Sequence, residues 1–253
     1  MMKATTILTL TSCVIANLAS AATLAHRWSF DTGNELIDSA GGNSGVLQNG
    51  ATVSGGALFL TGLGSGTGGN HMNFSSPVGI GANFGASGVT IESWYTDSGT
   101  GTWGKLFQFG TNAGGLELGF THTRGNGEQS GVDRDGAKLF SEQVSQGAEH
   151  HLVISISSNG NMNTWVDGAQ KLDDIDTNDL SNITSDFEGI GATSWGDPGM
   201  TGNVDEFRIW SGELTAGEVA NNLSLGADSV VPEPSGLTLL LVGGLAALRR
   251  RRS

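Results

Sequence analysis

Cysteine is almost absent from this chain. The single thiol, Cys13, has no partner for a disulfide and cannot build a thiolate metal cage, so the fold must be held by burial and hydrogen bonding. Proline is scarce as well, with four residues in all, and no Pro- or Ser-rich linker or internal repeat interrupts Ala22 to Ala227. One domain of roughly 200 residues is the expected unit. Positive charge is thin: 12 Lys and Arg stand against 25 Asp and Glu. Setting aside residues 1–21 and the last 23 residues, 231–253, leaves seven basic residues against 24 acidic ones, a net charge near −17. Such a surface repels nucleic acid and anionic membranes, and it suits divalent cations or neutral partners such as polysaccharide. No Gly-x-x-x-x-Gly-Lys phosphate loop, metalloprotease helix or Gly-x-Ser-x-Gly nucleophile elbow is present.

Glycine is what the chain has in quantity, 41 residues spread without a collagen-like triplet. Turn clusters of Gly, Asn, Asp and Ser separate short alternating stretches that predict strands at Leu24–Phe30, Ala57–Leu60, His71–Phe74, Val89–Tyr95, Trp103–Phe109, Leu116–His122, His150–Ser157, Met162–Val166, Ala169–Leu172, Phe187–Ile190 and Asn203–Trp210. Asp167-Gly168 predicts a type I′ hairpin, whose two central residues need φ > 0. Many strands and little helix predict an all-β fold of two stacked antiparallel sheets. One short helix is expected late, opened by a capping box between Thr215 and Glu218 and running to about Leu223.

The ends carry a different message. Lys3, the apolar stretch Ile7 to Leu18 and the small residues Ala19-Ser20-Ala21 predict a signal peptide over residues 1–21. Leu10-Thr11-Ser12-Cys13 has the order of a lipoprotein signal, but the apolar stretch continues through Val14 and Ile15, which favours cleavage after Ala21. At the other end stand Pro232, Glu233 and Pro234, an apolar run from Gly236 to Leu248, and Arg249, Arg250, Arg251 and Arg252. A helix over 236–248 is roughly 20 Å long against a ~30 Å hydrocarbon core. It spans only with Val230 and Val231 on one side and snorkelling arginines on the other, which places the C-terminus in the cytoplasm.

This tail, residues 228–253, resembles the PEP-CTERM sorting signal. The resemblance implies an exosortase-type protease as partner, transient membrane anchoring, cleavage during export, and delivery to the cell surface or matrix of a bacterium that makes exopolysaccharide. The body resembles another family. Ala25-His-Arg-Trp-Ser-Phe-Asp31, Asn43 to Ala51, Val89-Thr-Ile-Glu-Ser-Trp94, Glu149-His-His-Leu-Val153, Thr164-Trp-Val-Asp-Gly168 and Gly202 to Trp210 with Leu214-Thr215 are similar, in order, to the laminin-G-like jelly roll of the concanavalin A-like lectin and glucanase superfamily. That likeness implies a jelly-roll domain over 22–227. Gly99–Gly110 and Gly119–Gly136 are more glycine-rich than inner strands of such a domain should be.

The superfamily includes retaining glucanases, whose chemistry needs two carboxylates ~5–5.5 Å apart. On a strand one face recurs every second residue. Glu92 is followed on its face by Trp94 and Thr96, Glu117 by Gly119 and Thr121, and Asp205 by Phe207 and Ile209, so no single strand carries the pair. His150-His151 reads as a strand with one imidazole outward. Sugar sites instead set aromatic faces beside polar groups that fix hydroxyls. Glu92 and Trp94 on one strand face, with Trp103, Trp165 and above all Trp195 in a glycine-rich loop, are the candidates for carbohydrate. Asp173, Asp174, Asp176 and Asp179 crowd one segment and are candidate ligands for calcium, a hard cation that takes oxygen donors. The expected function is therefore adhesion to carbohydrate or a surface partner without catalysis. A glycoside hydrolase of the same fold is the alternative, and a structural envelope or matrix protein without a specific ligand a second one.

Overall fold

In a computed structural model the described residues are 22–112, 116–125, 129–134, 136–175 and 179–229. The expected signal peptide, the Pro232–Pro234 motif, the helix over 236–248 and Arg249–Arg252 lie outside them. Among the described residues no helix is long and apolar enough to cross a membrane.

The strands are β1 (Thr23–Trp28), β2 (Gly45–Gln48), β3 (Thr52–Ser54), β4 (Ala57–Thr61), β5 (His71–Phe74), β6 (Val89–Asp97), β7 (Lys105–Gly110), β8 (Glu117–Thr121), β9 (Gly131–Asp133), β10 (Ala137–Leu139), β11 (Glu149–Ile156), β12 (Met162–Val166), β13 (Ala169–Ile175), β14 (Glu188–Ile190) and β15 (Thr201–Ser211). Among the described residues two α-helices interrupt them, α1 (Ile80–Phe84) and α2 (Ala216–Leu225). One sheet runs β13-β12-β11-β6-β15-β4-β3, with β1 also pairing with the long β15. The other runs β10-β9-β8-β7-β14-β5-β2. All pairings are antiparallel, so the predicted two-sheet sandwich is what forms.

Alternation explains the stacking. In β6 the side chains of Val89, Ile91 and Tyr95 point between the sheets, where they meet Phe107 and Phe109 of β7, Phe120 of β8, Ile154 of β11 and Phe207 of β15. Burying such aromatic and branched side chains contributes about 1.5–3 kcal/mol each, which makes this layer the main source of stability. Outward residues of β6 are buried too, Thr90, Glu92 and Trp94 among them, so this strand is covered on both faces.

The second cover is α2. Thr215 Oγ1 accepts from the Glu218 amide while the Glu218 carboxylate accepts from the Thr215 amide, which is the predicted capping box. The helix lays Val219 on Ala22, Val153, Trp165, Trp210 and Leu214, a small apolar cluster on the outside of the first sheet. Turns elsewhere are fixed by acids. Burial alone would raise the Asp38 carboxyl, but His26 Nδ1 and the amides of Arg27, Gly41 and Asn43 all bond to it and hold it down at about 2. Asp167 and Gly168 take φ of 52° and 76°, as the hairpin between β12 and β13 requires.

Candidate functional site

The outer face of the first sheet holds an internal network. Glu92 accepts from His151 Nε2 at 2.9 Å, Trp210 Nε1 at 2.9 Å and Asn222 Nδ2 at 3.0 Å, with Arg208 NH1 at 3.5 Å. Trp94 stacks on His151 with ring centroids 4.2 Å apart, and the Arg208 Cζ lies 4.6 Å from the Trp94 ring centroid. Arg208 also binds Glu206 at 2.6 Å, and its NH2 donates to the carbonyls of Ala227 and Ser229. Burial pushes the Glu92 carboxyl up, but His151, Arg208 and Asn222 outweigh it, so the group stays low and ionised. The expectation that Glu92 and Trp94 touch a ligand is thereby corrected: 0% and 3% exposed, they are sealed under α2 and the segment after it. One imidazole of the His150-His151 pair does face outward, His151 against Trp94, but it is covered there and both rings are buried.

The outer face of the second sheet carries a row of charges that are themselves buried. Glu117, Gly119 and Thr121 of β8 point outward, as their spacing predicts, while Leu118 and Phe120 enter the core. Lys105 of β7 crosses over Gly119, where a Cβ would come within 3.4 Å of its Cδ. The ammonium reaches Glu117 Oε2 at 2.8 Å and Asp133 Oδ2 of β9 at 3.3 Å. Thr121 Oγ1 donates to Asp133 Oδ2 at 2.5 Å, and Arg124 NH2 pairs with Asp133 Oδ1. Burial lowers the Lys105 pKa and the Glu117 carboxylate works against that shift. Asp197 is displaced upward, first by burial and then by Glu117, with Lys105 opposing.

Two indoles wall this charged floor. Trp195 donates Nε1–H to Glu117 Oε2 at 3.0 Å, and Trp103 lies under Arg124, whose Cζ is 4.8 Å from the ring centroid. Trp103 is 41% exposed and Trp195 36%, so each ring keeps a free face. The space bounded by Trp103, Lys105, Glu117, Arg124, Asp133, Trp195 and Asp197 is about 270 Å3. Its walls are braced. Gln108, outward on β7, takes hydrogen bonds from Thr193 Oγ1 and the Ser194 amide and donates to Ser194 Oγ, and the Trp195 amide donates back to Thr193 Oγ1. Trp103 sits at φ 72°, a strained conformation for a bulky residue, held by its amide on Thr123 O at 2.7 Å. A larger hollow of about 660 Å3 lies beside the start of α2, but the Trp165 that lines it is 6% exposed and offers no open ring face.

A family profile described as the concanavalin A-like lectin/glucanases superfamily matches residues 66–220. The chain belongs to that superfamily. Its fold is similar to domain 4 of the extracellular GH43 arabinanase AbnA from Geobacillus stearothermophilus, solved with arabinotriose, at TM-score 0.62 and 20% identity over 79% of this chain and 98% of that one. It also resembles Trypanosoma rangeli sialidase, at TM-score 0.59 and 15% identity, with 79% of this chain covering 32% of the sialidase. The binding domain of a botulinum neurotoxin DC, solved with rat synaptotagmin II, gives TM-score 0.58 at 13% identity over 82% of this chain and 52% of that one. No curated protein matches the sequence.

Within this member of the concanavalin A-like superfamily, the structure joins Trp195 to Trp103 and separates both from Trp165, Glu92 and Trp94. Asp173 is exposed on β13 beside Gln170, and Asp179 accepts from the Ser181 amide at 2.8 Å. The Asp174 side chain and Asp176 lie outside the described residues, and among those described no three acids or imidazoles converge as a metal site. Sequence reasoning missed Lys105, Gln108, Arg124, Asp133 and Asp197. The signal for the first four was the glycine content of Gly99–Gly136: strands with small residues outward leave room for a ligand above the sheet.

Proposed function

We propose that this chain binds carbohydrate in the cleft between Trp103 and Trp195 and does not cleave it. The observation that carries the reading is the pair of half-exposed indoles that wall a cleft over a braced row of charges. Indole faces pack on the C–H face of a sugar ring, and Lys105, Arg124, Glu117 and Asp133 supply donors and acceptors for its hydroxyls. At about 270 Å3 the cleft is at the small end of ligand sites and suits one sugar unit or a chain end. The arabinanase domain of like fold was solved with arabinotriose, so a neutral oligosaccharide is the class to try first. Calorimetry with arabino-oligosaccharides and with bacterial exopolysaccharide tests this: the expected result is saturable heat with the intact protein and its loss in Trp195→Ala.

The same reading makes the protein an exported one. Pro232, Glu233, Pro234 and the basic end would be read by an exosortase-type protease, which would release the acidic sandwich to the surface or matrix from a transient anchor over 236–248. Mass spectrometry of the mature C-terminus decides this, with a cut near Pro232 expected. Calcium enters only as an ion for the segment carrying Asp173, Asp174, Asp176 and Asp179; absence of both calorimetric heat and a rise in Tm on adding calcium removes it.

A second reading, a glycoside hydrolase, has one observation in its favour: the raised Asp197 carboxyl shares the cleft with Glu117, the arrangement of a proton donor beside a second acid. Against it, Glu117 is committed to Lys105 and Trp195. Release of reducing ends that disappears in Glu117→Gln and Asp197→Asn would favour the hydrolase.

A further inference from the structure

A chain of three side chains at the rim of the sandwich is used by neither the core nor the sugar cleft. Ser145 Oγ lies 2.9 Å from His150 Nε2, and His150 Nδ1 lies 2.7 Å from Asp167 Oδ2. The order and spacing are those of a nucleophile, a base and an orienting acid. We propose that Ser145, His150 and Asp167 form a hydrolytic site for carboxylic esters.

Each member is placed for its part. Asp167 occupies the hairpin after β12, where its amide donates to His151 O and its Oδ1 accepts from the His151 amide, both at 2.9 Å. That leaves Oδ2 aimed at His150. A proton on Nδ1 toward this carboxylate puts the Nε2 lone pair on the Ser145 hydroxyl. His150 is 7% exposed and fixed at the start of β11, whereas Ser145 is exposed on the preceding loop and can meet a substrate. The Ser145 carbonyl, 3.0 Å from Nε2, stabilises the imidazolium once it forms. The loop is pinned by Gln146 Nε2 on Asp97 Oδ1 at 3.0 Å and by the Gly147 amide on Asp97 O at 2.7 Å. Among the described residues the Gln146 amide donates to no backbone carbonyl, and an amide following the nucleophile is a common half of an oxyanion hole.

The step balances with water as the only co-reactant. Ser145 Oγ attacks the ester carbonyl and passes its proton to His150 Nε2; the tetrahedral intermediate expels the alcohol, which takes that proton. Water then attacks the acyl-serine by the same route, giving the carboxylic acid and the free hydroxyl. Asp167 is a positioning residue throughout. The loop also touches the sugar cleft: Gln143 Nε2 donates to Thr123 Oγ1 at 2.7 Å, and Thr123 O holds the Trp103 amide. An O-acyl ester carried on a polysaccharide is therefore the substrate class. This choice of carrier rests on the carbohydrate reading above, while the triad itself does not.

The test uses the full chain. Expected are a fluorophosphonate adduct on the peptide that contains Ser145, turnover of p-nitrophenyl acetate above buffer, and at least a ~100-fold fall in Ser145→Ala. Asp167→Asn, whose amide presents the wrong hydrogen to Nδ1, should lower kcat by a similar factor with KM unchanged and restore nothing at higher pH. No adduct on the folded wild-type protein, or turnover that survives in Ser145→Ala, overturns the proposal. A second arm follows acetate release from an O-acetylated polysaccharide. If p-nitrophenyl acetate is turned over but Trp195→Ala leaves acetate release unchanged, the triad stands and the carbohydrate cleft falls.

Discussion

The two outer faces of this sandwich carry the same ingredients and use them in opposite ways. On the first sheet Arg208 lies 4.6 Å over Trp94 beside Glu92 and Glu206; on the second, Arg124 lies 4.8 Å over Trp103 beside Asp133 and Glu117. Residue type does not distinguish them. Coverage does: α2 and Ala227–Ser229 close the first face, where Glu92 and Arg208 bond to protein and Trp94 is 3% exposed. On the second face the returning loop at Thr193–Asp197 covers the charged floor but leaves the indoles 41% and 36% exposed. An aromatic and an acid on one strand face thus suggest a site only where the later elements that return over them leave the ring exposed.

The contrast can be broken by mutation, and the largest effect should come from the closed face. Glu92→Ala leaves the buried Arg208, His151, Trp210 and Asn222 donors short of their acceptor, and unfolding in urea should reveal a loss of ~3–5 kcal/mol. Trp94→Ala should cost ~3 kcal/mol or more by the same assay, from lost packing. Next in size, Trp195→Ala should weaken oligosaccharide binding about tenfold or more, the effect of removing a ~2 kcal/mol anchor, while Tm barely moves. Equal stability losses in Trp94→Ala and Trp195→Ala would erase the distinction between the faces.

The smallest effect is a matter of pH. Burial first, then the charges of Glu149 and Asp228, raise Asp205 to about 6 against the help of Asn203. A carboxyl whose folded pKa lies above its unfolded one stabilises the fold fully below the unfolded value near pH 4, and that contribution is lost as pH rises through about 6. Asp205→Asn should therefore be the more stable protein at pH 7, by ~1 kcal/mol once solvent screening at this half-buried site is allowed for, and should match wild type near pH 4. Urea titrations at the two values check it. A gain at pH 4 as large as at pH 7 would rule out titration of Asp205 as the cause.

What could be read from the sequence was local. The capping box at Thr215, the Asp167-Gly168 hairpin and the bounds of β5 and β12 all follow from signals within a few residues. The short strands β2, β3, β9 and β10 escaped, since three or four residues between glycines and asparagines carry no measurable period. Helix α1, five residues with no side-chain cap, escaped for the same reason. Trp103 was assigned to a strand, but its positive φ turns it out of β7 and makes it a wall of the cleft. Glu92 was misread for a long-range reason. Alternation says which face a residue occupies, whereas the helix that covers that face comes 130 residues later in Asn222. The cleft charges were equally hidden, because Lys105, Glu117, Asp133 and Asp197 meet only through strand pairing and one returning loop.

The most direct test follows the six indole Nε1–H signals by NMR while an arabino-oligosaccharide is titrated into the protein. The account predicts saturable shifts at Trp103 and Trp195 and none at Trp94 and Trp210. Shifts at Trp94 or Trp210 with Trp103 and Trp195 silent would contradict it.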